Sequence, residues 1–164
     1  MSKAQESAED SARACFQKAV DLLSRRPHFR AQLETKLRAR RFDDEEIATA
    51  LDRLEELGYL NDLQTAADYV ARKVERAPIG SRRLRAELVQ RGAASAAIDH
   101  ALADHRDDLP TVRAAARRWV AKAGPRKADV QDRDPRKLAR FLERQGFPGH
   151  AIFEVVREWE SDSL

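Results

Sequence analysis

Apolar side chains recur along this chain in a pattern that repeats three times. Leu33, Leu37, Ile47 and Leu51 form two i, i+4 pairs separated by a break at Arg40, Arg41 and Phe42. The spacing returns 51 residues later as Leu84, Leu88, Ile98 and Leu102, around Arg91, Gly92 and Ala93. It returns after a further 54 as Leu138, Leu142, Ile152 and Val156, around Gln145, Gly146 and Phe147, with no gap inside any copy. An i, i+4 pair lies on one face of a helix, so each copy predicts two amphipathic helices joined by a tight turn. Gly92 and Gly146 fall where a helix C-terminus takes a left-handed residue. Arg41 stands there in the first copy, which predicts a conformational cost. Neither helix of a pair can hide its stripe alone, so the copies are expected to pack as units.

A further helix precedes each pair. The first runs from a cap at Ser11 to about Arg26, with Phe16, Val20 and Leu23 inward, and Pro27 ends it. The second runs from about Leu63 to Arg76, with Ala66, Tyr69, Val70 and Val74 inward, and turns at Pro78 and Gly80. The third opens at Pro110, buries Ala116, Trp119 and Val120, and closes at Gly124 and Pro125, before a polar linker over 126–133. Asp43 with Glu46 has capping-box spacing, and Asp44 and Glu45 suit the positive helix end. Ser81, Ser95 and the Asp134–Pro135 pair are the other candidate helix starts, and Pro148 opens the last helix. No strand pattern emerges. The expected fold is all-α, with nine helices in three tandem three-helix repeats forming an elongated, curved array. A frayed polar tail over 1–12 would precede repeats at 13–60, 61–108 and 109–164.

Charge changes this picture. Charged residues make up 36% of the chain against 42% apolar, which suits thin helical units better than one deep core. The net charge is only +3, but it is unevenly spread. Asp43 to Asp68 holds nine acidic residues and one basic. Arg72 to Arg91 holds seven basic and two acidic, and Arg113 to Arg144 eleven basic and four acidic. Such asymmetry points to a polyanionic partner, the alternative being that these side chains only solvate helix faces. Cys15 is the sole cysteine, so no internal disulfide can form. No apolar run approaches the ~20 residues of a membrane span. The first ten residues lack the apolar stretch of a signal peptide. A cytoplasmic, monomeric protein without membrane contact is expected.

Catalytic chemistry is not legible. There is no phosphate-binding glycine loop. His28, His100, His105 and His150 have neither i, i+4 partners nor cysteine neighbours, so no metal site is expected. Cys15 has no adjacent base, and the Glu45–Glu46 pair is explained by the helix dipole. The chain reads as a non-enzyme with no cofactor.

The basic clusters carry what functional signal there is. Arg82, Arg83 and Arg85 place three cations in the first turn of a helix, where the dipole disfavours each by about 0.3–1 kcal/mol. Two explanations stay open: carboxylates from the acidic first repeat, or an outside phosphate at the helix N-terminus. Arg72, Lys73 and Arg76 precede the same turn, and Arg25, Arg26 and Arg30 bracket its counterpart in the first repeat. Arg113, Arg117 and Arg118 occupy the third repeat's opening helix, with Arg136, Lys137 and Arg140 on the next. A basic element repeated along the chain suits a regular polymer. Sequence-specific reading by a helix-turn-helix is disfavoured, because Ala94, Ala96, Ala97 and Asp99 of the would-be recognition helix are a poor set for reading base edges. Trp119 and Trp159 occupy stripe positions expected in the core rather than on a base-stacking platform.

Three stretches carry a family resemblance. Gly58, Tyr59, Leu60, Asn61, Asp62, followed by Ala66, Tyr69 and Val70, resembles the signature of the bacterial RecX regulatory proteins. So do Arg82 to Leu88, ending at Arg91 and Gly92, and Arg25 to His28 followed by Arg30, Leu33, Lys36 and Leu37. The resemblance spans about Ala14 to Glu160. Phe29, Thr65 and the turn Ala77 to Gly80 depart from the usual pattern. The resemblance implies tandem three-helix repeats and a partner, the RecA recombinase, in whose filament groove on DNA such proteins lodge. It further implies restraint of RecA ATPase, strand exchange and coprotease activity, while the charge pattern adds an expectation of sequence-independent contacts to the DNA backbone. The alternative is a non-specific DNA-binding helical-repeat protein acting without RecA.

Overall fold

The computed structural model describes residues 3–105, 107, 109–123 and 134–161. Among them all regular structure is helical: α1 (Lys3–Arg25), α2 (Arg30–Arg38), α3 (Asp44–Glu56), α4 (Asp62–Arg76), α5 (Ser81–Gln90), α6 (Ser95–Leu102), α7 (Leu109–Ala123), α8 (Pro135–Gln145) and α9 (Gly149–Glu160). The expected closure at Gly124 and Pro125 and the 126–133 linker lie outside the described residues. Helix α1 begins well before the expected Ser11 cap, because Lys3 to Glu6 is a run of strong helix formers that prolongs it.

The turns follow the sequence. Arg41, Gly92 and Gly146 all have positive φ, at 67°, 82° and 88°. After Gly92 and Gly146 the amides of Ala93 and Phe147 reach back to the carbonyls of Leu88 and Leu142, which closes the helix end. Gly58 (φ 73°) stops α3 in the same way, with the Tyr59 amide on the Leu54 carbonyl at 2.9 Å. The rest of that motif then has separate tasks. Leu60 is buried, and the Asn61 side chain accepts the Gln64 amide to start α4. Asp62 turns back to accept the Arg30 amide at 2.9 Å.

That last bond has a counterpart. Asp107 accepts the Ser81 amide at 2.8 Å and the Ser81 hydroxyl as well. Arg30 and Ser81 are 51 residues apart, the repeat offset of the sequence, and each is the first residue of its helix. The first N–H of a helix has no intrahelical acceptor, and in both places a distant aspartate supplies one. In the third copy this position is Pro135, which has no N–H, and Asp134 caps the Arg136 amide at 3.0 Å instead. Ser81 is therefore not the cap expected from sequence: the Leu84 amide bonds the Gly80 carbonyl, which makes Gly80 the cap. Ser95 is likewise helical already, with the Ile98 amide on the Ala94 carbonyl. The Asp43–Glu46 box forms as expected, at 2.8 and 3.0 Å.

The chain divides into two compact units. One takes the described residues up to Ala67 together with Leu88–His100, and the other takes Asp68–Glu87 and those from Ala101 onward. In the first, Cys15, Ala19, Leu33, Leu37, Ile47, Leu51, Leu54 and Leu60 form one core from α1, α2, α3 and the turn after it. Burial, and then Glu46 and Asp43, push the Cys15 thiol up to about 11, so it acts as a small apolar residue rather than a nucleophile. In the second, Val112, Ala116, Leu138, Leu142, Phe147, Ile152, Val155 and Trp159 form a core from α7, α8 and α9. There Gly80 lies directly on Gly146, with its amide on the Gln145 carbonyl at 2.8 Å. A Cβ on Gly80 would come within 2.3 Å of the Gly146 backbone, so only glycine fits at this position.

Candidate nucleic-acid interface

The candidate cations separate into two sets by what surrounds them. Arg30, on the first turn of α2, meets Glu34 at 3.3 Å, Asp52 at 2.7 Å and Glu55 at 3.0 Å. Burial disfavours its charge, yet the bonds to Asp52 and Glu55 raise its pKa overall. Lys73 meets Glu87 at 2.6 Å and stands 5.4 Å over the Tyr69 ring. Arg83 bonds the same Glu87 at 3.0 Å and the Gln145 side chain at 2.9 Å, and the Tyr69 hydroxyl also donates to Glu87. Burial works against the Glu87 charge, but the Lys73, Tyr69 and Arg83 donors outweigh it and hold the carboxyl at about 2. Arg113 grips Glu158 with two nitrogens, the Nε at 2.7 Å, which raises the arginine's pKa and lowers the glutamate's. These four cations are paired within the molecule.

Arg83 corrects part of the sequence reading. Its carboxylate partner comes from its own helix, four residues on, and not from the acidic first repeat. Asp107 adds a second negative group at the α5 N-terminus. Neither a carboxylate of the first repeat nor an outside phosphate is therefore needed to account for Arg83.

The remaining candidates face outward. Arg25, Arg26, Arg72, Arg76, Arg82, Arg117, Arg136 and Arg140 are exposed, and among the described residues none of them forms an ion pair. Lys137 is exposed with only a long 3.8 Å approach to Asp134, worth little at a surface. Arg85 is exposed but engaged within the molecule. Arg118 is exposed and donates to the Arg76 carbonyl at 2.8 Å, which brings these two sequence-distant candidates together. The expected burial of the aromatics is met by Trp159 (4% exposed), whereas Trp119 is only half-buried, packed on Phe141 and Trp159. The sequence reading missed Phe141, Lys122 and Gln145, which surround Trp119. Their signal was weak, because each is an isolated residue on a helix face.

Among the described residues no group of histidine, cysteine and acidic side chains could hold a metal ion. Among them also no helix is long and apolar enough to cross a membrane. The arrangement can bind anions through fixed and free guanidinium groups.

Comparison with known proteins gives a concordant answer. Residues 15–54 match the family model for the first three-helix domain of RecX. The chain is 32% identical over 149 residues to the regulatory protein RecX of Chlorobium phaeobacteroides (strain BS1), covering 91% of this chain and 95% of the relative. It is 38% identical over 149 residues to that of Ectopseudomonas mendocina (strain ymp), covering 90% and 96%. The crystal structure of RecX from Lactobacillus salivarius shares the fold, with a TM-score of 0.79 at 20% identity over 93% of this chain and 99% of that one. A second crystal structure of a regulatory protein RecX superposes at 0.76 with 18% identity, over 96% and 80%. The resemblance carried by the Gly58–Asp62 and Arg82–Gly92 motifs thus extends over most of the chain, and this chain belongs to the RecX family of regulatory proteins.

Proposed function

We propose that this protein binds the RecA–DNA nucleoprotein filament and restrains RecA ATPase, strand exchange and coprotease activity. Its three-helix units at 13–60, 61–108 and 109–164 present outward arginines to the DNA phosphates. One observation carries the reading: in a chain of the RecX family, Arg72, Arg82, Arg117, Arg136 and Arg140 are exposed with no ion pair among the described residues. Internal pairing explains Arg30, Lys73, Arg83 and Arg113, but not these. A guanidinium left in water is not desolvated on folding and gains on meeting phosphate, with release of counterions. Phosphate contacts carry no base information, which makes the contact independent of base sequence.

The test is binding to RecA filaments and to bare DNA at rising salt, with RecA ATP hydrolysis on single-stranded DNA followed in parallel. The expected result is tighter binding to filament and a depressed hydrolysis rate. Equal affinity for bare DNA with unchanged hydrolysis would instead favour a DNA-binding protein acting without RecA.

A further inference from the structure

Beside α7 lies a groove of about 190 Å³ that the phosphate-contact reading does not use. Its apolar wall includes Trp119, Phe141, Ala77 and Pro78, and the exposed Arg118 and Lys122 stand on its rim. The two rings are stacked, with centroids 6.0 Å apart and planes 30° from parallel. The volume is below the ~300–1,000 Å³ of a pocket for a whole small-molecule ligand, so it suits a single planar group. Arg118 is not a free-swinging cation: its bond to the Arg76 carbonyl holds the guanidinium at the rim. Lys122 is one helical turn further along α7, on the same side. An aromatic wall with cations one turn apart is complementary to a base carried on a phosphodiester chain. Bases stack on aromatic faces while the backbone meets the positive rim.

We infer that the Trp119–Phe141 groove receives one unpaired base of single-stranded DNA, with Arg118 and Lys122 on the flanking phosphates. The inference rests on the DNA-contacting reading above and deepens it by naming the form of the strand. A duplex cannot satisfy the groove, since its bases are already stacked and paired. The site would separate two components of binding. Phosphate contacts weaken steeply with salt, whereas stacking does not depend on counterion release.

The test uses the full chain without RecA, so its outcome is independent of whether the filament reading stands. A thymidine oligomer, an abasic strand of the same length and the corresponding duplex are titrated at rising salt, with tryptophan emission as the readout. The expected result is quenching by the thymidine strand alone, and about tenfold tighter binding than the abasic strand at high salt. Trp119→Ala should abolish that gap. Ala77→Leu should abolish it too, by plugging the groove while leaving both rings in place, and should leave abasic-strand binding unchanged. Equal binding of base-bearing and abasic strands would overturn the inference. So would a duplex that binds as tightly as the single strand, or a gap that survives Ala77→Leu in a folded variant.

Discussion

The first turns of α2 and α5 occupy equivalent places in the repeat, but Arg30 of α2 is held by carboxylates whereas Arg82 of α5 stays in water. Both helices have their leading amide capped by an aspartate from later in the chain, Asp62 and Asp107. At α2, Arg30 is gathered in by Glu34 and by Asp52 and Glu55 of the acid-rich α3. At α5, Glu87 takes Arg83 and Lys73, and Arg82 is left facing water. The difference lies in the helix that follows each. Helix α3 carries six carboxylates, whereas α6 carries Asp99 alone. A cluster of arginines in sequence is therefore not itself a binding site: the supply of carboxylates decides which members remain for an outside partner.

The largest effect is expected where the start of α5 is held against α8. Gly146 has φ 88°, and a Cβ there would lie 2.4 Å from the Arg83 backbone nitrogen. Gly146→Ala should therefore cost about 3 kcal/mol or more, read from denaturant unfolding. The cost combines backbone strain with a clash that no side-chain rotation relieves.

Glu87 sets the next scale. Its folded value of about 2 lies below the ordinary 4.5, so its contribution to stability is present above pH 4.5 and is lost as pH falls toward 2. Glu87→Gln should cost about 2 kcal/mol at neutral pH. It should also remove part of the acid dependence in that window, which urea titrations at several pH values would detect. Equal acid profiles for the two proteins would mean that the Lys73 and Arg83 contacts contribute nothing.

Arginine truncations sharpen the comparison directly. Arg30→Ala should lower stability by about 1 kcal/mol, since three partly exposed carboxylates lose their partner. Arg82→Ala should change stability by less than about 0.5 kcal/mol. On binding the order should reverse, with Arg82→Ala weakening filament association and lowering its salt dependence. A gain rather than a loss is expected at the ends of the same helices, where Arg41 holds the left-handed position that Gly92 fills after α5. Arg41→Gly should raise stability by up to about 1 kcal/mol, visible as a higher Tm, because the strain is local and glycine relieves it.

These contrasts also mark what a reading of sequence reaches. The paired stripes at Leu33–Leu51, Leu84–Leu102 and Leu138–Val156, with their left-handed turns, are local properties of the chain and were legible. The Asp43–Glu46 box was legible for the same reason. The Asp62 and Asp107 caps were not, since each acts on an amide that its sequence neighbours do not reveal. The positions of Ser81 and Ser95 were misjudged by one residue, because a cap depends on which carbonyl accepts the first helical bond. At the candidate surface, the Arg83–Glu87 pairing has ordinary i, i+4 spacing and was overlooked. The groove beside Trp119 needed α7, α8 and the turn after α4 in three dimensions before its wall existed.

The outward arginines are the central claim, and RecA-catalysed ATP hydrolysis on single-stranded DNA tests it most directly. The wild-type chain should depress the rate, and a variant with Arg72, Arg82, Arg117 and Arg140 changed to Ala should need about tenfold more protein for the same effect, at unchanged Tm. A folded variant that restrains RecA as well as the wild type, or a wild type that leaves hydrolysis untouched, would contradict the account.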